Sequence, residues 1–145
     1  MTTPIARLGR RTRWALAVAA VGVAGVLGVA RGLEPDPRGF GTHQQLGLPP
    51  CSFQTLTGFP CPSCGMTTAF AWTTRGRVDR AWRANPAGAL LAPACVMLVP
   101  WLLVASATGR TPGTRSPEMV LTALVVATVA LSLVAWIVRF YTGRA

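Results

Sequence analysis

The chain has 145 residues, of which 51% are hydrophobic and only 12% charged, and fourteen basic residues against four acids give a net charge of +10. A water-soluble domain carries about 25% charged residues, so this composition excludes an ordinary soluble globule and points to lipid. The basic excess would suggest nucleic acid in a soluble protein, but every basic residue is an arginine at the end of an apolar segment. There the positive-inside bias and anionic headgroups account for it, and no nucleic-acid partner is expected.

In chain order, residues 14–30 form a charge-free run of Ala, Val and Gly preceded by Arg7, Arg10, Arg11 and Arg13. At about 1.5 Å per residue the run just crosses a hydrocarbon core of about 30 Å. It is a first span, with its arginines expected in the cytosol. The basic start and Gly28-Val29-Ala30 also fit a cleavable signal, and Arg10-Arg11 a twin-arginine export signal, so removal of residues 1–30 stays open. Gly22, Gly25 and Gly28 could offer a groove to a neighbouring helix. Residues 31–60 hold Pro35, Pro37, Pro49 and Pro50 among several glycines, too many breakers for a long helix. This stretch reads as an outer loop presenting His43 and Cys51.

From Cys61 the pattern turns helical, with Met66, Ala69, Phe70 and Thr73 on one face and Pro62 suited to a first turn. A short embedded helix is expected over residues 61–75, its threonine hydroxyls bonded back to the helix or to a neighbour. Residues 76–85 follow as a basic interfacial segment, where Arg75, Arg77, Arg80, Trp82 and Arg83 have the composition of a membrane interface. Asn85-Pro86 is a helix start, a capping amide followed by a first-position proline, and opens a second long span over residues 86–108. Ser116-Pro117-Glu118 starts the last span, residues 117–138.

Charge decides how the middle segment is expected to run. With three crossings, six arginines (7, 10, 11, 13, 110, 115) lie inside and eight outside, against the positive-inside tendency. If the segment around Cys61 also crosses or re-enters deeply, ten (7, 10, 11, 13, 75, 77, 80, 83, 139, 144) lie inside and four outside. The expected architecture is therefore an all-α integral membrane protein of one domain, with three long transmembrane helices plus one short embedded or re-entrant helix. Both termini would be cytoplasmic and the cysteine loop would face outward from a bacterial cytoplasmic membrane.

The chemistry, if any, lies in the cysteines. Cys95 sits in an apolar span, where a free thiol acts as a small hydrophobe. Cys51, Cys61 and Cys64 share the loop, and in an oxidising compartment they are disulfide candidates, either within Cys61/Cys64 or from Cys51 to one of them. That staple is sufficient by itself, since a disulfide stabilises by about 2–4 kcal/mol. The first alternative is thiol-disulfide exchange, with Cys61 activated at a helix N-terminus, Cys64 resolving and a quinone as conceivable oxidant. The second is a metal site, in which His43, Cys51, Cys61 and Cys64 supply the four ligands zinc prefers. No hydrolase constellation is present, because Asp79 and Glu118 are far apart in the sequence and Glu34 and Asp36 balance Arg31 and Arg38.

The run Cys61-Pro62-Ser63-Cys64-Gly65-Met66-Thr67-Thr68-Ala69-Phe70, followed by Arg75-Gly76 and Asn85-Pro86, resembles the bacterial membrane family called domain of unknown function 2752 over roughly residues 40–101. Members often carry Arg where this chain has Thr68. The resemblance implies a membrane protein with a Cys-Pro-x-Cys-Gly motif and carries over no catalytic residue. Together these readings describe a small multi-pass protein, more a non-catalytic component of a membrane assembly than an enzyme. Its partners would be the bilayer and another membrane protein or a second copy, and no cofactor is required.

Overall fold

The computed structural model describes residues 8–113 and 117–142, and every regular element within them is helical. Arg7, Arg115, Ser116 and Arg144, read above as anchors or a cap, lie outside the described residues. Three long helices frame the molecule: α1 (Arg10–Gly32), α5 (Pro86–Thr108) and α6 (Pro117–Thr142). Between α1 and α5 come a short 3-10 turn (Thr42–Leu46) and three short helices, α2 (Ser52–Thr57), α3 (Met66–Thr73) and α4 (Val78–Ala84).

The long helices form for local reasons. Asn85 caps α5 by accepting from the Gly88 N–H at 3.0 Å, Pro86 takes the first helical position, and Gly109 ends the helix at φ 68°. The helix runs through Pro93 and Pro100. Glu118 lies in the first turn of α6, where the dipole favours an acid, and Arg139 in the last, where it favours a cation. At 23 residues, α1 and α5 reach about 34 Å, enough for a bilayer core. Within their most apolar windows only 11%, 28% and 6% of the residues of α1, α5 and α6 are buried inside the protein, so most of their apolar side chains face outward. A surface of that kind is stable against lipid and costly against water. The glycines at 22, 25 and 28 belong to it, since a Cβ added at any of them meets nothing within 4 Å.

Helix α1 lies antiparallel to α5. Near its start the Leu8 N–H reaches the Gly109 carbonyl at 2.9 Å, and the Arg13 guanidinium bonds the Ser106 and Ala107 carbonyls at 2.7 Å each. At the other end Ala30 packs with Phe70 of α3 and Ala92. Helix α6 finishes where α5 begins, for Arg139 donates to the Arg83 and Ala84 carbonyls at 3.1 Å.

Helices α3 and α4 make a hairpin that enters and leaves at this same end. The core of the hairpin is small residues: Ala69, Ala81, Ala84 and Ala89 pack together under Trp72. Gly88 lets α3 come so close to α5 that a Cβ there would sit 2.9 Å from Ala69 and Met66. Such close backbone approach is how helices pack where the hydrophobic effect is weak. Its packing against α5 runs along the first three turns of that helix, as far as Cys95. At eight residues α3 is too short to span by itself and is the short helix expected after the cysteine motif. The described residues contain three helices long and apolar enough to cross a membrane, and Leu8 and Thr142 lie at opposite ends of the bundle. Arg75, one of the arginines in the charge tally, folds back onto two helix ends. It donates to the Ala71 and Ala30 carbonyls at 2.9 and 3.4 Å, capping two helices at once.

Candidate functional site: a three-thiol cluster

The Cys61-Gly65 motif is a turn rather than the first turn of a helix. The Cys64 N–H bonds the Cys61 carbonyl at 3.0 Å and the Met66 N–H bonds that of Ser63 at 3.1 Å. Pro62 thus serves the second position of a β-turn, where its fixed φ is favourable, and α3 begins only at Met66. Gly65 has φ +83°, and a Cβ on it would lie 2.5 Å from the Ala84 carbonyl oxygen and 2.7 Å from that of Gly39. Only glycine fits this position. The expected placement of Cys61 at a helix N-terminus is corrected accordingly.

The turn brings Cys61 and Cys64 together, and Cys51, the residue that starts α2, meets them. The three Sγ atoms all lie within 4.8 Å of one another. No disulfide joins any of the four cysteines. The Cys61 and Cys64 sulfurs are 3.1 Å apart, a hydrogen-bonding distance, against about 2.05 Å for a bonded pair. All three thiols line a cavity of about 360 Å³ together with His43, Ser63 and Thr68. His43 stands outside the sulfur cluster. Its Nε2 lies 3.2 Å from the Pro49 carbonyl, an acceptor, so Nε2 carries a proton there. Cys95 is remote from the cluster and packs beside Ala30, Phe70 and Ala92.

The two motif thiols differ in acidity. Burial pushes the Cys64 thiol up, the hydrogen bond with Cys61 adds to this, and together they raise it to about 12. Burial also works against the Cys61 thiolate, but hydrogen bonds from Ser63, Cys64 and Cys51 outweigh it and hold Cys61 below the ordinary thiol value. The source of the shift is neighbouring thiol and hydroxyl groups, not a helix dipole.

Two supports of the cluster were not apparent from spacing. Asn85, 3% exposed, caps α5 with its oxygen, while its amide nitrogen donates to the Pro62 and Cys64 carbonyls at 3.3 and 3.1 Å. It thereby latches the cysteine turn to a membrane helix. Thr68 and Thr42, both fully buried, share a hydrogen bond of 2.8 Å that ties α3 to the 3-10 turn. Asn85-Pro86 signalled the cap but not the second partner, and nothing in the spacing pairs residues 42 and 68. Of the neighbouring threonines, Thr74, just past α3, bonds back to the Ala71 carbonyl at 3.1 Å, whereas the buried Thr73 hydroxyl has no partner among the described residues, contrary to expectation.

The interfacial residues lie at the same end. Arg77 pairs with Asp79 at 3.5 Å, Arg80 stacks on Trp72 at 4.6 Å, and Trp82 is half exposed. An aromatic clasp holds the loop from the other side: Trp136 Nε1 donates to the Pro60 carbonyl at 2.8 Å, Phe53 packs edge-on to Trp136, and Phe59 packs on Phe140.

Comparison with known proteins adds one finding. Residues 51–99, about a third of the chain, match the family model described as Protein of unknown function (DUF2752), which meets the resemblance read from the motif. No curated protein and no solved structure matches the chain.

Proposed function

We propose that this protein is a non-catalytic component of a membrane assembly whose Cys51, Cys61 and Cys64 bind one soft divalent cation of the zinc class, stapling the loop to the bundle. The observation that carries the reading is the convergence of three sulfurs. A disulfide uses two of them and strands the third, whereas three thiolates at about 2.3 Å from zinc stand about 3.8 Å apart, between the 3.1 Å of Cys61 to Cys64 and the 4.8 Å that bounds all three pairs here. The staple also has a task, because α2 contains no buried residue and, among the described residues, is held on its other side only by the contact of Phe53 with Trp136. His43 suits the fourth position, since an Nε2–H bonded to a carbonyl is the arrangement that orients a metal-binding imidazole through Nδ1. Cys61 and Cys64 each lose a proton on binding, so the metal is released as pH falls. Elemental analysis of protein purified without chelator tests this. About one zinc-class ion per chain, lost in Cys61→Ser and in Cys51→Ser, is the expected result, and metal-free folded protein refutes it.

A second reading rests on the unequal acidity of Cys61 and Cys64. The Cys61 thiolate would attack a partner disulfide, Cys64 would release the mixed disulfide, and the partner would leave as a dithiol while Cys61 and Cys64 become bonded. Differential alkylation under mild reductant separates the two. A bond that cycles readily in metal-free protein favours exchange, and thiols protected only by metal favour the staple.

For orientation, we infer a bacterial cytoplasmic membrane with the cysteine end outward. Four arginines precede α1 and two follow it, at 31 and 38, and the first span usually dominates insertion.

A further inference from the structure

We propose that a second cavity, which adjoins the thiol cluster through Cys64, is a binding site for an anionic glycerophospholipid. The cavity, about 900 Å³, lies between α6 and the segment joining α4 to α5. Leu131, Val134 and Val138 form one wall, and Arg38, Arg83 and Arg139 also line it. Along α6, Leu131 lies eight residues before Arg139, about 12 Å deeper towards the middle of the span. Cationic groups at the level of the headgroups with an apolar wall descending below them is the shape of a lipid phosphate and its acyl chains.

No carboxylate lines the cavity, and of its three arginines only Arg38 is neutralised among the described residues, by Asp36. Asp36 is engaged by Arg38 at 2.7 Å and Asp79 by Arg77 at 3.5 Å. Glu118 sits in the first turn of α6, at the opposite end of that helix. Arg139 is partly buried and bonds only the neutral carbonyls of Arg83 and Ala84. The Arg83 side chain makes no ion pair or hydrogen bond among the described residues. A partly buried cation without a carboxylate is costly unless an outside anion completes it. The membrane supplies that anion at the right depth, and the apolar wall selects a lipid over a free phosphate.

Native mass spectrometry of the full chain, released from nanodiscs of mixed phosphatidylglycerol and phosphatidylcholine, tests this. Wild-type protein should retain phosphatidylglycerol in preference to phosphatidylcholine. Arg83→Gln, which removes a side chain with no structural partner, should lower retention about five-fold, the loss expected for one arginine near a charged surface. Val134→Trp should lower it too, by filling the apolar half without touching charge. Equal retention of both lipids, or unchanged retention in both variants, overturns the proposal. So does full displacement of phosphatidylglycerol by millimolar inorganic phosphate, which would mark a free-anion site. Metal content of the thiol cluster serves as an independent check that each variant is folded there.

Discussion

Cys61 and Cys64 are neighbours with opposite tendencies, and the difference is measurable. Because the thiolate is the reactive form, metal-free protein should be alkylated first at Cys61, with a rate that climbs at a pH below that of an ordinary thiol. Cys64, held up to about 12, should lag throughout the neutral range. Peptide mapping after brief iodoacetamide treatment at several pH values reads both, and identical profiles would contradict the assignment. Gly65 is the other decisive residue. Gly65→Ala meets two carbonyl oxygens and a left-handed backbone, which alone costs about 1–2 kcal/mol. A total loss of at least about 2 kcal/mol is expected in detergent unfolding, with loss of bound metal.

At the scale of elements, Asn85 joins the cysteine turn to α5. Asn85→Ala removes a cap worth about 1 kcal/mol and strands two carbonyls, at about 1–3 kcal/mol for a buried group without its partner. Asn85→Asp keeps the capping oxygen but turns a donor into an acceptor facing those carbonyls. Thermal unfolding should therefore show both variants destabilised, and zinc release should be faster in Asn85→Asp than in wild type. Retention of wild-type release would mean the amide does not position the turn. This link also marks how far sequence reasoning reached. Spans, breakers and caps are local properties, so α5 could be read from Asn85, Pro86 and the apolar run that follows. The meeting of Cys51 with Cys61 and Cys64, and of Thr42 with Thr68, depends on how a proline- and glycine-rich loop folds back, which no periodicity encodes. The helical face through Met66, Ala69, Phe70 and Thr73 was legible, whereas the start of that helix was misplaced by five residues because Pro62 fits a β-turn as well as a helix.

For the whole molecule, the three-crossing path places Leu8 and Thr142 at opposite ends. Reporter fusions at the two ends of the chain should accordingly report different compartments, and a shared compartment would favour a fourth crossing instead. The arginine tally treats every cation as free to choose a side, and two of them are held by helix ends. Arg13 is tied to the end of α5, and Arg75 to the ends of α1 and α3. Their positions answer to exposed helix carbonyls as much as to the membrane potential.

The clasp of Trp136 and Phe140 on the loop carries a consequence for biogenesis. A ribosome delivers the cysteines some seventy residues before the tryptophan that holds Pro60, so the sulfur-bearing loop emerges while its last support is still unsynthesised. Maturation of the thiols, whether by metal or by oxidant, thus has a window that closes when the final helix enters the bilayer, and a chain stalled before that helix would leave them open to chance partners.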